Sequence, residues 1–200
     1  MLSPFKMRHY RIVAPYIVAL LLLSGCGYNK LQGLDEEVKA AWAEVQNQYQ
    51  RRADVVPNLV EVVKGAAKFE QETLTQVIQA RSQATSVKLD AKDLGSPDAF
   101  RRFEEAQRNL SGALSRLLVT VERYPELKAN QNYRDLQAQL EGTENRIAVA
   151  RKRYIDMVAE YNKGVRYFPT NLTARYLLGL SVRETFSADE KAAQPPPVKF

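Results

Sequence analysis

A chain of 200 residues with one histidine and one cysteine has few ways to build a catalytic or metal centre. His9 and Cys26 both stand near the N-terminus, so everything after residue 26 lacks imidazole and thiol. Cys-His and Ser-His-Asp nucleophile systems cannot be assembled there, and zinc or transition-metal sites lose their usual nitrogen and sulfur ligands. Carboxylates, Ser-Lys pairs and tyrosines remain. Glu70 and Glu72, or Glu104 and Glu105, are spaced by one or two, which on a helix points to different sides rather than to one acid-base pair. They read as solvated helix surface. Gly-rich phosphate loops and Asp-rich calcium loops are missing from the sequence. The expectation is a non-enzyme without metal, cofactor or small-molecule substrate, with a hydrolase built on carboxylates or Ser-Lys as a weaker alternative.

The setting of Cys26 points to chemistry done to the protein rather than by it. Lys6, Arg8 and Arg11 give a basic start, and residues 12–23 form an apolar run of 12. That is short of the roughly 20 residues a membrane-spanning helix needs. The run ends in Leu23-Ser24-Gly25-Cys26, which resembles the bacterial lipobox: a thiol nucleophile for lipid attachment, with small residues before it for the signal peptidase. Residues 1–25 are therefore expected to be a lipoprotein signal peptide. Leu23, Ser24 and Gly25 would form its cleavage motif, and Cys26 would carry diacylglycerol and an amide-linked chain such as palmitate. A plain cleaved secretory signal and an uncleaved N-terminal anchor are the alternatives. Basic residues stay on the cytoplasmic side, so all three readings export the domain. At about 0.8 kcal/mol per buried methylene, two or three chains hold a protein stably on a membrane. The expected location is the bacterial cell membrane or outer membrane, lipid-anchored, with the domain facing the periplasm or exterior. Gly27, where an aspartate would resemble an inner-membrane retention signal, favours the outer membrane in a host that has one.

The net charge of +6 overstates the basicity of the exported part. Without Lys6, Arg8 and Arg11 it has 26 basic against 23 acidic residues. These charges are interspersed, which gives no support for nucleic-acid binding.

With only nine glycines and nine prolines in 200 residues, the chain has the raw material for helices. Leu31, Leu34, Val38, Trp42, Val45, Tyr49, Val56, Val60, Val63, Ala67, Leu74, Val77 and Ile78 fall mostly three or four apart, as one buried helical face requires. Pro57 interrupts this stripe. It lacks an amide hydrogen and its ring clashes with the carbonyl of Ala53, but the stripe resumes without a turn-rich insertion, so one long kinked helix is favoured over two helices joined by a reversal. Residues 86–95 read as a loop. Ser96-Pro97-Asp98 supplies an N-cap, a preset proline and an acid at the start of a second helix. That helix carries Phe100, Phe103, Leu110, Leu114, Leu117, Leu118 and Val121 and stops at Tyr124-Pro125. From Asn130 a third helix places Tyr133, Leu140, Ile147, Tyr154, Tyr161 and Phe168 seven apart, a seam widened by Leu136, Met157 and Val158 and closed by Pro169. Tyr154, Tyr161 and Phe168 are expected in the core, with an aromatic ligand groove as the alternative. A short helix in 171–180 would lay Leu172, Tyr176 and Leu177 over the bundle end.

The resulting fold class is all-α: a long antiparallel bundle of three long helices, coiled-coil-like in its seams, with the first helix kinked or split near Pro57 and a short C-terminal helix. Its divisions are a lipid-anchored N-terminus and tether at 26–34, a bundle domain at 35–186 and a disordered Pro-rich tail at 187–200. Gly65, Gly112 and Gly142 stand inside helical patterns, where close helix crossing would explain them, with a partner site as the alternative.

Several stretches resemble the LemA family of bacterial membrane-anchored helical proteins. They include Tyr28-Asn29 with Leu31, Ala41-Trp42, the run Arg51-Arg52-Ala53-Asp54-Val55-Val56-Pro57-Asn58-Leu59-Val60, and Val63-Lys64-Gly65. Later come Tyr124-Pro125-Glu126-Leu127-Lys128-Ala129, Leu136-Gln137, Leu140-Glu141-Gly142-Thr143-Glu144, Ala150-Arg151, Tyr161-Asn162 and Phe168-Pro169-Thr170-Asn171. Ala66, Phe69 and Ile155 depart from the pattern, where Tyr, His and Asn are common. The resemblance implies a helical bundle without established catalytic residues.

The expected function is a membrane-anchored, non-catalytic scaffold or adaptor of the cell envelope that engages a protein partner or copies of itself. The alternative is a lipid-binding or bilayer-shaping protein linked to envelope stress or quality control, motivated by Arg51, Arg52, Arg151, Lys152 and Arg153. Arg52, Asp54, Pro57 and Asn58 are the candidate special feature, either fixing the proline kink or contacting a partner.

Overall fold

The computed structural model describes residues 4–65 and 69–187, with side chains from Gly27 onward. Every regular element among them is helical. In chain order they are α1 (Pro4–Lys64), α2 (Gln71–Ser86), a 3-10 turn (Ala91–Asp93), α3 (Pro97–Val121), α4 (Pro125–Ala129), α5 (Gln131–Arg166), α6 (Thr170–Leu172) and a π-helical turn (Thr173–Leu177). Residues 27–34, within the expected tether, are helical and bury Leu31.

The first helix does not split at Pro57; the break falls after Lys64. Gly65 closes the last turn, its amide donating to the Glu61 carbonyl at 3.2 Å. The apolar stripe runs unbroken in sequence because α2 restarts with Leu74, Val77, Ala80 and Ala84 buried at helical spacing. Ile78, expected in that stripe, is exposed. α1 continues through Pro57 because the carbonyl this residue leaves without an amide is satisfied from elsewhere. Arg81 on α2 donates its Nε to the Ala53 oxygen at 2.7 Å.

α3 starts as expected. Ser96 Oγ accepts from the Ala99 amide at 3.4 Å, and Phe100, Phe103, Leu110, Leu114, Leu117 and Val121 are buried. Asn130 caps α5 by accepting from the Tyr133 amide at 3.2 Å. Tyr133, Leu140, Ile147, Tyr154 and Tyr161 are all buried, and the seven-residue seam ends there. Phe168 lies beyond the last turn of α5 and is 80% exposed, so it does not extend the seam.

The chain forms two compact units, one from the residues up to Ala40 with Asp156–Arg183, the other from Ala41–Ile155 with the chain from Glu184. In the second, Val56, Leu59, Val63, Leu74, Val77, Leu110, Leu117 and Leu140 share one core. Trp42, Phe100, Phe103, Tyr154 and Phe186 form an aromatic cluster, with Trp42 at 5.1–6.1 Å centroid distance from the other rings. The segment before α3 reads as a loop but is anchored: Leu89 and Leu94 are buried, and Trp42 Nε1 donates to the Leu89 carbonyl at 2.9 Å. Phe186 is held by Tyr154, whose hydroxyl donates to the Glu184 carbonyl at 2.9 Å.

In the first unit, Gly164 is the close-packing glycine. A Cβ there would stand 3.1 Å from Leu31 Cδ2 and 3.3 Å from Leu34 Cδ1. Gly112 and Gly142, expected at crossings, meet only Arg116 and Arg146 of their own helices, and Gly65 serves as a helix end. Asp35 is buried between Arg183 and Lys39, while Asn162 and Arg183 exchange two hydrogen bonds of 2.9 Å through the Asn162 amide and the Arg183 backbone.

Arg81→Met is expected to lower stability by about 1–2 kcal/mol, since it removes the Nε donor from the Ala53 carbonyl. In a Pro57→Ala background residue 57 regains its amide, and the same change should cost markedly less. Urea unfolding of the four members of this cycle checks it; equal costs in both backgrounds would remove the link between Pro57 and Arg81.

Candidate functional site

Arg52 is the most chemically loaded residue of the described chain. It sits on the inner face of α1 at 1% exposure, flanked by the apolar positions Tyr49, Ala53, Val55 and Val56. A guanidinium in such a place must have its charge and its N–H groups met by the protein, because burying either unpaired is costly. Nη1 donates to Ser111 Oγ at 2.6 Å and to Glu144 Oε1 at 2.9 Å. Nη2 donates to Gln107 Oε1 at 2.7 Å and to the Gln107 carbonyl at 3.2 Å. Nε is buried without a partner, and the guanidinium carbon lies 5.0 Å from the Tyr49 ring centroid.

The network extends one step further. Gln107 turns its Nε2 to the carbonyl of Ala84 at 3.1 Å, the last buried residue of α2. Through Arg52 and Gln107, α1 is tied to α3, to α5 and to the end of α2. The cleft beside it, of about 210 Å³, is lined by Arg108, Arg151, Glu104 and Glu144 among others. Arg151 stacks its guanidinium over Phe186 at 4.2 Å and lies 3.9 Å from Glu104.

The four residues singled out around Pro57 do not form one site. Arg52 faces inward, whereas Asp54, Pro57 and Asn58 are exposed, and Asp54 accepts from Gln50 Nε2 at 2.7 Å. The freed Ala53 carbonyl goes to Arg81, 28 residues on, which no local pattern marks. The basic set Arg51, Arg52, Arg151, Lys152 and Arg153 is likewise divided, since Arg52 is buried and Arg151 is engaged with Phe186. Glu70 pairs with Arg123 at 2.8 Å rather than with another acid. Among the described residues no group of three or more His, Cys, Asp or Glu is placed to hold a metal, and no helix is long and apolar enough to cross a membrane. The side chains of Leu23, Ser24, Gly25 and Cys26 lie outside those described.

Three tyrosines have their phenols pushed above the ordinary value, in each case chiefly by burial. For Tyr49 the nearby Arg151 and Arg52 oppose the shift, for Tyr161 the hydrogen bond and charge of Arg183 do so, and for Tyr133 Glu122 and Glu141 add to it.

Helices throughout, and polar chemistry turned inward to join them, define a helical-bundle protein with a buried arginine clasp. The chain belongs to the LemA family, whose model matches residues 41–200. No curated protein matches it.

Arg52→Met is expected to cost about 3 kcal/mol, the low end for breaking a buried charge pair, because half-exposed Glu144 can turn to water. Glu144→Gln keeps an acceptor and should cost under about 1 kcal/mol. Chemical denaturation of both checks the ranking. A raised phenol pKa favours the neutral, folded form, so the tyrosine contribution is complete below about pH 10 and is lost as pH climbs through the higher folded values. The urea midpoint should therefore fall on that alkaline side, and less steeply in Tyr49→Phe and Tyr133→Phe, with tyrosinate absorbance rising alongside the loss.

Proposed function

We propose that this LemA-family protein is a non-catalytic helical scaffold or adaptor of the bacterial cell envelope, a long antiparallel bundle tethered through lipid on Cys26 and facing the periplasm or exterior. The Arg52 network carries this reading. The residue best equipped to bind an anion or stabilise a developing charge has both Nη groups committed to Ser111, Gln107 and Glu144, and so is spent on joining helices. The sequence after Cys26 has no imidazole or thiol to replace it.

Long helices joined this way present extended, fixed rows of side chains, which suits recognition of a protein partner or a second copy. Exposed Arg51, Asp54 and Asn58 share one side of α1 at spacings of three and four, and they are the first place to look for such a contact.

Crosslinking in intact cells followed by mass spectrometry tests the proposal. A recurrent neighbour, or a second copy, crosslinked through exported residues is the expected result. A monomer without any repeated neighbour would remove the scaffold reading, as would turnover abolished by a single acidic substitution.

A further inference from the structure

Six of the nine exposed large apolar side chains among the described residues belong to the first unit: Tyr28, Tyr167, Phe168, Leu172, Tyr176 and Leu177. Five of these fall in 167–177, just after α5, and expose 48–80% of their surface. A soluble surface scatters such residues singly; their concentration marks an interaction site. Leu172, Tyr176 and Leu177 were the residues expected to cover the bundle end, and they face outward instead, while Thr173 and Ala174 are the buried positions of that stretch.

Two further observations say what meets this surface. Its cations outnumber its acids: the hollows beside these residues are lined by Lys30, Lys163, Arg166 and Arg175 against Glu160 alone. Glu160 already pairs with Lys163 at 2.7 Å, so among the residues lining these hollows Lys30, Arg166 and Arg175 form a rim with net positive charge. The second observation is position. A Cβ on Gly27 would stand 3.0 Å from Thr170 Cγ2, so the loop carrying Tyr167 and Phe168 touches the residue directly after Cys26. Thr170 fixes that loop by donating its hydroxyl toward the Gly164 carbonyl at 2.6 Å, and its oxygen also lies 2.8 Å from the Tyr167 carbonyl. One peptide unit spans about 3.8 Å, so acyl chains on Cys26 bring the loop to the headgroup layer whether or not it has affinity for it.

We propose that the aromatic and basic end of the first unit, Tyr28 with residues 167–177, is a membrane-docking surface that seats in the interface of an anionic phospholipid bilayer. This rests on the lipid anchor at Cys26. Tyrosine suits that layer, with an apolar ring and a hydroxyl for the wet side, and Phe168 and Leu177 supply apolar surface to bury below it. Lys30, Arg166 and Arg175 meet the phosphates. The acyl chains hold the protein on the membrane, and the second contact sets which way the first unit faces.

The test uses the full-length lipidated protein in vesicles of phosphatidylethanolamine and phosphatidylglycerol with brominated acyl chains. Phe168→Trp, Tyr176→Trp and, as a control on the second unit, Val149→Trp are each compared with the parent, whose buried Trp42 sets the background. With acyl mass on Cys26, Phe168→Trp and Tyr176→Trp should lose most of their added emission and shift to the blue, while Val149→Trp does neither. Protein that carries acyl mass and floats with vesicles, yet shows no more quenching at 168 and 176 than at 149, overturns the docking surface and leaves the anchor standing. Absence of acyl mass together with failure to float overturns both. A photocrosslinker at 168 that joins two chains while quenching is absent overturns the proposal in favour of self-association.

Discussion

A buried guanidinium constrains everything around it. Arg52 leaves water at a cost of several kcal/mol, and the structure recovers that by holding four acceptor groups within hydrogen-bond reach of its two Nη groups. Three of the acceptors come from Gln107 and Ser111 on α3 and the fourth from Glu144 on α5, so the rotation of α3 about its own axis and its register along α1 are both fixed by one side chain. Apolar contacts among Val56, Leu59, Val63 and Leu117 supply most of the burial, but they tolerate sliding by a turn. The polar clasp does not, since a shifted α3 would leave the charge unpaired. Lysine would not substitute, because a single ammonium cannot reach acceptors on two helices in this fixed geometry.

Backbone accounting makes a second tie of the same kind. Pro57 would be expected to end or bend α1, yet the helix continues to Lys64 with the Ala53 carbonyl bonded to Arg81. The proline thus creates an acceptor on the side of α1 that α2 covers, and α2 must bring its arginine there to satisfy it. The sequence run from Arg51 to Val60 contains both devices, the inward charge of Arg52 and the Ala53 carbonyl left bare by Pro57. Each is met by a helix distant in sequence.

That distance sets what can be read from residues alone. Periodicity gives the buried faces of α3 and of α5 as far as Tyr161, and cap chemistry gives the first residue of α3, because those signals are local. The end of α1 at Lys64 is not legible because an apolar stripe cannot distinguish a helix that continues from one that restarts in phase, and a glycine such as Gly65 suits a crossing as well as a terminus. Leu89, Leu94 and Phe186 lie outside any periodic pattern and are buried through tertiary contacts such as the Trp42 bond to the Leu89 carbonyl. Phe168 matches the heptad and is exposed because α5 ends at Arg166, two residues before the next repeat is reached. Of the four residues marked around Pro57, Arg52 carries the network. Its partners Gln107 and Ser111 carry no mark in the sequence, because amide and hydroxyl side chains on a helix look the same whether they face solvent or a charge.

The two units handle their polar groups alike, and this bears on function. In the first, Asp35 binds Arg183 and Lys39, and Asn162 takes up the backbone of Arg183 at both its amide and carbonyl. Arg183 also lies 5.0 Å from the Tyr161 ring, whose hydroxyl donates to the Ser181 carbonyl at 3.1 Å. The irregular stretch after the π-helical turn is thereby held by side-chain bonds where a strand or helix would use its own backbone. Buried charges in both units serve to position chain segments, and the surfaces they leave open differ in character. The first unit presents aromatic rings and cations beside Gly27, whereas the second exposes isolated apolar residues such as Val119 and Val149 among charges. The difference follows from where the buried charges sit: in the second unit the Arg52 clasp draws long helices together along their length, whereas in the first the pairing of Asp35 with Arg183 holds an irregular segment and leaves Tyr167, Phe168, Tyr176 and Leu177 on its surface.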